Sequence, residues 1–131
     1  MAFDNKPSPA RSGPAGQAAL GAYGERLAAR CLTGLGMQII ETNWRVATGE
    51  IDIIARDGDC LVICEVKTRR HTRAGSPVEA VTPEKLARLR RLAGQYLATL
   101  SAKPQHIRID VVAITVPRQG PPQLVHLVAV D

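Results

Sequence analysis

The stretch GEIDIIARDGDCLVICEVKTRR, from Gly49 to Arg70, holds two apolar strands joined by a tight turn. Asp57-Gly58 is a dipeptide typical of a two-residue hairpin turn, because glycine adopts a positive φ angle without a steric penalty. With that turn, Arg56 is predicted to pair with Asp59. The rest of the chain is read outward from this hairpin.

Three ionisable side chains, Asp52, Glu65 and Lys67, stand inside these apolar strands. In the predicted register Asp52 faces Ile63, and Glu65 is its diagonal neighbour, about 7–8 Å away at the backbone. Because side chains alternate across a strand, all three emerge on one face, with Glu50 opposite Glu65. A register change of two residues keeps this arrangement, whereas a change of one destroys it.

Two carboxylates at this separation suit a hard cation that prefers oxygen ligands, such as Mg²⁺ or Mn²⁺. An ion held by Asp52 and Glu65 would polarise a phosphate and lower the pKa of a bound water. Lys67 follows Glu65 by two residues, and from there it would orient that water or offset charge developing on the phosphate. The pattern Asp…Glu-x-Lys is therefore typical of metal-dependent phosphodiester cleavage.

The alternative for the same residues is a surface hairpin in which Lys67 pairs with Glu65 or Glu50. Glu-x-Lys on a strand is weak evidence by itself, because many edge strands carry it. The flanking residues favour function, since they mark both strands as central ones: Ile51, Ile53, Ile54, Val62, Ile63 and Val66. A partly buried carboxylate in a central strand is unfavourable unless it is paired or metal-bound.

Several stretches of the chain resemble the YraN family of small endonuclease-like proteins, which is related to archaeal Holliday-junction resolvases. They are GAYGERLAARCL, NWR, GEIDIIARDG, EVKTR, GSPVEAVTPEKLARL and IRIDVV, and they extend from about Gly21 to Val112. The spacing is also similar to that of the PD-(D/E)xK nuclease superfamily, with Asp52, Glu65 and Lys67 in the three catalytic positions.

The resemblance implies an α/β, restriction-endonuclease-like fold, with a mixed central sheet of about five strands flanked by helices. It also implies a Mg²⁺ or Mn²⁺ cofactor, a metal-binding role for Glu25 on the first helix, and a further ligand in the Val66 backbone carbonyl. The chain departs from the superfamily pattern at Ile51, which replaces a proline, and at Cys64, which replaces a bulkier apolar residue. Neither departure removes a catalytic group.

The composition predicts one basic, globular domain. The chain has 131 residues, of which 45% are hydrophobic and 3% aromatic, and its formal net charge is +5. This length suffices for one aliphatic core, while the scarcity of aromatic residues argues against a platform that stacks unpaired bases. The positive charge favours a polyanionic partner, and the resemblance implies that this partner is nucleic acid, with DNA as the favoured kind.

The three cysteines, without a Cys-x-x-Cys pair, predict a reducing compartment and no structural zinc. Cys60 and Cys64 fall on the strand face opposite Glu65, where they read as small apolar residues. The sequence shows no signal peptide and no apolar run long enough to span a membrane. We therefore expect a cytoplasmic protein that does not insert into membranes.

The N-terminal part of the chain predicts a tail and then a helix. Residues 1–17 are rich in Pro, Gly, Ser and Ala and read as a flexible tail. Helical spacing of apolar residues follows over residues 18–35. Glu25 lies at the edge of the apolar stripe, and two roles stay open for it: the metal ligand that the resemblance implies, and a solvated ion pair with Arg26 or Arg30.

Basic residues flank the hairpin. Arg45 ends the first strand, residues 37–46, and is either a nucleic-acid contact or a partner of Glu50, while its neighbour Trp44 caps the core. The segment that leaves the second hairpin strand is well placed to grip phosphates beside the scissile one. Its candidate phosphate contacts are Arg69, Arg70 and Arg73.

Thr82 predicts the N-cap of a second helix that runs to about Leu100. Arg88 is placed on the face of this helix opposite the core. Lys85, near the basic segment, is a further candidate nucleic-acid contact, and Glu79 is expected to hold that segment in place. The predicted buried stripe consists of Leu86, Leu89, Ala93, Tyr96, Leu97 and Leu100.

Two further strands, over residues 105–116 and 124–130, complete the domain, which covers residues 18–131. Arg108 and Asp110 share a face of the first of them, which favours a structural ion pair. Support of the metal site by Asp110 is the open alternative. The order helix, three strands, helix, two strands predicts a mixed central sheet with helices packed on it.

The favoured function is that of a divalent-metal-dependent nuclease acting on DNA, with branched DNA or repair intermediates as candidate substrates. One alternative is a non-catalytic nucleic-acid-binding or scaffold module on a nuclease-like fold. Another is a small enzyme that acts on a different phosphorylated substrate. Resolvase-like relatives form dimers, so the resemblance also allows a homodimer.

Overall fold

Two helices and five strands follow one another in the order that the sequence predicts. The computed structural model describes residues 13–71 and 76–131. Its elements are α1 (Gly13–Gly34), β1 (Gln38–Val46), β2 (Gly49–Asp57), β3 (Cys60–Arg70), a 3₁₀ helix (Pro77–Ala80), α2 (Pro83–Leu97), β4 (His106–Val116) and β5 (Gln123–Leu127). Among these residues, no helix is long and apolar enough to cross a membrane.

The strands form one mixed sheet in the order β1-β2-β3-β4-β5. Neighbouring strands are antiparallel except β3 and β4, which run parallel from the pair Cys60↔His106 to the pair Arg70↔Val116. Two parallel neighbours need a crossover connection, and α2 lies in the segment that joins them. The predicted mixed α/β sheet is therefore confirmed.

The two helices cover opposite faces of the sheet. In β3, Val62 and Cys64 pack in the apolar cluster of α1, whereas Leu61 and Ile63 pack in that of α2. Since neighbouring strand residues point to opposite faces, the two clusters lie on either side of the sheet. Cys64 is fully buried on the side of α1, as the sequence predicts.

The helix α1 is longer at its start than predicted. It begins at Gly13, so residues 13–17 are helical rather than part of the tail, and residues 1–12 lie outside the described residues. The chain leaves the helix through Gly36, whose φ of 93° is a left-handed angle that favours glycine. Gly24 lets α1 approach the sheet closely, because a Cβ there would meet the Thr68 side chain at 1.7 Å.

The hairpin of β2 and β3 has a register two residues away from the predicted one. Arg56 pairs with Leu61, and Asp57 pairs with Cys60, so the turn consists of Gly58 and Asp59. Gly58 has a φ of 62° and occupies the first central position, which is the glycine position of a type II′ turn. The predicted turn, with Asp57 and Gly58 as its central residues, was therefore wrong by one residue. The prediction placed Asp-Gly in the two central positions of a type I′ turn, which this dipeptide also fits.

The helix α2 begins as predicted, with the Thr82 side chain accepting a hydrogen bond from the Lys85 backbone N–H at 3.2 Å. It ends at Leu97 rather than near Leu100. Its buried residues include Leu92, which the predicted stripe left out, alongside Leu89, Ala93 and Tyr96. The Tyr96 ring packs edge-on against Trp44 with 5.3 Å between ring centroids, so Trp44 covers the core as predicted.

Candidate active site

The start of β2 and the end of β3 meet at Asp52. Its Oδ2 atom accepts a hydrogen bond of 2.8 Å from the backbone N–H of Val66. The β2–β3 pairing ends at Ile53↔Cys64, so Asp52 and Glu65 are the residues that come directly after its last pair. The two carboxylates lie close enough for the charge of Glu65 to raise the pKa of Asp52, while the pairing partner of Glu50 is Arg45 of β1.

The regular alternation of β2 breaks at Asp52. Ile51 and Ile54 both pack in the α2 cluster, whereas Ile53 between them packs in the α1 cluster. On the other side of β2, the register places Asn43 of β1 opposite Asp52, and Asn43 has a φ of 54°. Asparagine tolerates this left-handed angle better than most residues do. Because of this local distortion, the Asp52 side chain does not follow the alternation of a regular β-strand.

Three other carboxylates surround Asp52 electrostatically. Burial, together with the negative charges of Glu65, Glu25 and Glu50, raises its pKa to about 7, against the lowering effect of the Val66 N–H. The environment thus opposes ionisation of Asp52 more than its one hydrogen bond favours it. Such a group of acids attracts positive charge, which a bound cation or neighbouring arginine side chains can supply.

Glu25 joins this group from α1. Its pKa is raised, chiefly by burial, and the nearby Glu50 adds to the effect. The hydrogen-bonded Asn43 side chain and the charge of Arg45 act in the opposite direction. Glu25 therefore lies near Asn43 and Arg45 of β1 and Glu50 of β2, and its role as a metal ligand stays a prediction.

Glu50 lies beside Arg45 but is only partly satisfied. Arg45 Nε is 2.9 Å from Glu50 Oε2, so the pairing that the sequence left open is present. The approach lacks hydrogen-bond geometry, however, and Glu50 Oε2 is a buried atom with no hydrogen-bond partner. The distance counts as an ionic contact, while the missing hydrogen bond leaves an acceptor unsatisfied at the edge of the site.

Glu65 is held from the opposite side by α2. Arg88 Nη2 donates a hydrogen bond of 2.9 Å to Glu65 Oε2, and the exposed fractions of the two side chains are 39% and 14%. The prediction that put Arg88 on the face away from the core was wrong. Arg88 precedes the buried Leu92 by four residues, and residues four apart share a helix face.

Lys67 does not contact the two carboxylates. It is exposed, and within the described parts of the chain its ammonium forms no ion pair with Asp52 or Glu65. It lines a cavity of about 520 Å³ between α1 and the end of β3, together with Glu25 and Val66. Val66 packs against the α1 cluster and the Thr68 side chain meets Gly24 of α1, so the alternation of β3 places Lys67, which lies between them, on the same face as Glu65, as predicted.

The predicted phosphate contacts have different positions. Arg69 and Arg70 line the same cavity as Lys67, whereas Arg73 lies outside the described residues. Lys85 is half-buried in the first turn of α2. Glu79 accepts a hydrogen bond from the Ser76 backbone N–H at 3.2 Å, so it holds the end of the segment before α2, as predicted.

Asp110 belongs to a separate, structural cluster. It is fully buried, and the Arg108 guanidinium donates to both of its oxygens at 3.0 and 3.2 Å. His126 Nε2 lies 2.7 Å from Asp110, and the Ala129 backbone N–H donates to it at 3.0 Å. The predicted ion pair with Arg108 is confirmed, and its partners join β4 to the C-terminal segment.

The residues at the strand ends match a hard cation in chemistry, although their present placement does not enclose one. Among residues 13–71 and 76–131, no three His, Cys, Asp or Glu side chains stand close enough together to hold a metal ion. The donors are nevertheless all carboxylate oxygens, which Mg²⁺ and Mn²⁺ prefer. Glu50 Oε2, a buried oxygen without a hydrogen-bond partner, is the observation that fits such an ion best.

Comparison with known proteins assigns the chain to a family. The model of "Uncharacterised protein family UPF0102" matches residues 24–114. The chain belongs to the UPF0102 family. The YraN-like assignment is thereby confirmed, and the matched range of the UPF0102 protein contains every candidate site residue named above.

UPF0102 proteins of three other organisms illustrate the similarity. The protein of Kineococcus radiotolerans is 58% identical over 114 residues, which are 86% of this chain and 93% of the relative. That of a Nocardioides species is 58% identical over 102 residues, 78% and 82% of the two chains. That of Streptomyces coelicolor is 56% identical over 110 residues, 82% and 85% of the two chains.

Sequence reasoning missed two UPF0102 residues at the site, Asn43 and Arg88. Asn43 carried a usable signal, because asparagine inside an apolar strand is a common choice where the backbone turns left-handed. The sequence carried a signal for Arg88 too. If Leu92 is counted in the apolar stripe of α2, Arg88 lies at the boundary of the core. Both signals are local in the sequence, but their relation to the site depends on which strand end lies opposite each residue in the fold.

Proposed function

We propose that this UPF0102 protein is a divalent-metal-dependent nuclease that hydrolyses phosphodiester bonds in DNA, on a restriction-endonuclease-like fold. The observation that carries the proposal is the meeting of Asp52, Glu65 and the Val66 backbone at adjoining strand ends, within a group of four carboxylates. Carboxylates gathered in a partly buried place are unfavourable unless a cation balances them. A structural hairpin needs none of these acids.

The roles follow from position. Asp52 and Glu65 would hold Mg²⁺ or Mn²⁺, with Glu25 and the Val66 carbonyl as further ligands. When bound, such an ion polarises a phosphate and acidifies a water molecule. Lys67, two residues after Glu65 and on the same face of β3, would approach the attacking water or the phosphate.

Phosphates beside the scissile one have partners on the same side of the molecule. Arg69 and Arg70 line the cavity that contains Lys67 and Glu25. Contacts of this kind fix the orientation of a nucleic-acid backbone without reading its sequence. The proposed substrate is therefore DNA recognised by its backbone and shape, with branched DNA as one candidate.

A second candidate function is a DNA-binding module without catalysis. It is favoured by the ion pair between Arg88 and Glu65, which already neutralises one of the two main ligands. It is also favoured by the spread of the carboxylates, no three of which enclose an ion in the described part of the chain. The two functions differ in one measurable property, the binding of a divalent cation.

Titration calorimetry with Mn²⁺ tests the proposal directly. The wild type is compared with Asp52→Asn and Glu65→Gln, which keep side-chain shape, and with Glu41→Gln, an exposed carboxylate of β1, as the control. We expect the wild type and the control to bind Mn²⁺ and both site variants to lose at least tenfold in affinity, about 1.4 kcal/mol or more. Cleavage of branched, flapped and single-stranded DNA is then assayed in the same four proteins.

The outcomes separate the two candidates. Metal binding that both site variants abolish, together with cleavage, supports the nuclease. A folded wild type that binds no Mn²⁺, with or without DNA, overturns the metal-dependent mechanism. DNA binding that persists in that case favours the non-catalytic module.

A further inference from the structure

Arg88 is the one basic side chain, among the described residues, seen to donate a hydrogen bond to Glu65. We propose that it is a displaceable counter-ion, which neutralises Glu65 when no cation is bound and turns to a substrate phosphate when a cation takes Glu65. This inference rests on the proposed function and assigns a positioning residue within that site.

The Arg88–Glu65 contact uses only part of the guanidinium. A single nitrogen, Nη2, reaches Glu65 Oε2 at 2.9 Å, whereas Nε is buried and has no hydrogen-bond partner. Arginine and a carboxylate form their strongest pair through two parallel hydrogen bonds. A donor held beside the site without an acceptor therefore indicates that this pair is not built as a permanent structural link.

The position of α2 does not depend on this ion pair. Leu89 and Leu92 are buried at 1% and 0% exposure, and they pack with Ile51, Ile54 and Ile63 on the sheet. A Cβ at Gly49 would stand only 3.3 Å from Leu92, so the helix lies close to the start of β2. Apolar contacts thus fix α2, and the Arg88 side chain can move without moving its helix.

Charge explains why the guanidinium would leave. A divalent cation bound between Asp52 and Glu65 brings two positive charges to the carboxylate that Arg88 contacts, and like charges repel at this distance. A phosphate offers oxygens that can accept from Nε and Nη together. Cation and phosphate therefore favour each other's binding through Arg88, and this coupling is reciprocal.

Calorimetry of Mn²⁺ binding without substrate gives the first test. Arg88→Met removes the competing charge and keeps an unbranched apolar stem, and Arg91→Met removes an exposed charge of the same helix as the control. We expect Arg88→Met to bind Mn²⁺ roughly tenfold more tightly than the wild type, and Arg91→Met to match the wild type. Arg88→Gln serves as a second neutral variant, and circular dichroism verifies that each protein is folded.

The second test adds a phosphorothioate-linked DNA oligonucleotide at saturation as a cleavage-resistant phosphate probe. We expect it to tighten Mn²⁺ binding several-fold in the wild type and in Arg91→Met but to have little effect in either Arg88 variant. An Mn²⁺ affinity in both Arg88 variants equal to or weaker than that of the wild type overturns the inference. So does an undiminished effect of the oligonucleotide.

Failure of this inference is distinguishable from failure of the proposed function. Mn²⁺ binding that Asp52→Asn abolishes but that both Arg88 variants leave unchanged rejects the role of Arg88 alone. If neither the wild type nor the Arg88 variants bind Mn²⁺, with or without the oligonucleotide, the metal site is rejected and the role of Arg88 with it.

Discussion

Asp52 is an acid whose surroundings oppose its ionisation. Its pKa is raised from 3.8 to about 7, first by burial and then by neighbouring carboxylates. Between those two pH values the native protein holds a proton that the unfolded chain has lost. The free energy of unfolding therefore falls as pH rises from about 4 to about 7, by about 2–4 kcal/mol from this group.

Asp52→Asn removes this pH dependence, because the amide is neutral at every pH and can still accept the Val66 N–H. We expect the variant to be about 2–4 kcal/mol more stable than the wild type at pH 8 and nearly equal to it at pH 4. Urea unfolding at both pH values measures the difference, and Glu41→Gln is the control. A stability difference that is the same at pH 4 and pH 8 would contradict the raised pKa.

Asp110 is the residue whose loss should harm the fold most. Asp110→Ala leaves the half-buried Arg108 and the neighbouring His126 without their shared acceptor. Breaking a buried ion pair on one side costs about 3–5 kcal/mol, which would lower the thermal midpoint by about 10 °C or more. Thermal unfolding followed by circular dichroism tests this, with the exposed Glu41→Ala as control; a midpoint within about 2 °C of the wild type would contradict it.

Local spacing was enough to predict some of these residues and not others. The Arg108–Asp110 pair follows from alternation along one strand, and it was predicted. His126 and Ala129 reach Asp110 from 16 and 19 residues away in the chain, through the register of β5 on β4. That register depends on the length and shape of the connection between the strands, which carries no alternating pattern.

The contact between α1 and β3 depends on the absence of a side chain at Gly24. A Cβ there would lie 1.7 Å from Thr68 Oγ1 and 2.8 Å from Thr68 Cβ, so Gly24→Ala must push the helix from the sheet. We expect a loss of about 2–3 kcal/mol in the free energy of unfolding. Adding Thr68→Ala removes the closest clash but not the one at Cβ, so it should restore only part of the loss.

The same helix offers a matched control. Gly21 is also helical, but a Cβ there would meet nothing within 4 Å. Gly21→Ala should therefore stabilise the protein by about 0.5–1 kcal/mol, because alanine loses less backbone entropy in a helix. Equal effects of the two alanine substitutions in urea unfolding would show that the packing of α1 on Thr68 is not as close as described.

At the level of the elements, alternation predicted the hairpin and its central position, while details of register were beyond it. The two-residue error at the turn kept the parity of β2 and β3, so Asp52 and Glu65 were still predicted as neighbours. The face of α2 was wrong by a fraction of a turn, which moved Arg88 from the surface to the site. A helix with leucines on a wide arc does not specify the centre of its buried face.

For the molecule as a whole, the order of elements and the need for a crossover predicted the mixed sheet. That topology also decides at which ends of the strands the charged residues come together. The antiparallel pairing of β3 with β2 leaves Glu65, Val66 and Lys67 at the end where β2 begins. The chemistry carried by those residues still has to be measured, because one fold supports many functions.

The basic charge of the molecule leads to a last prediction, which is independent of the metal. The net charge of +5 and the two cavity residues Arg69 and Arg70 predict DNA binding through phosphates, with affinity that falls linearly with salt on logarithmic axes. Each phosphate contact adds about 0.9 to that slope on duplex DNA, so Arg69→Gln/Arg70→Gln should lower it by about 2.

Fluorescence anisotropy of labelled duplex and branched DNA, without added divalent cations, measures this slope at several salt concentrations. Arg56→Gln is the matched control, because Arg56 is exposed near the hairpin turn, at the opposite end of β2 from Asp52. It removes one charge from the molecule without touching the cavity, so its slope should equal that of the wild type. If all three proteins show the same slope, the backbone of DNA does not pass along the cavity beside α1, and the nuclease proposal would need a different path for its substrate.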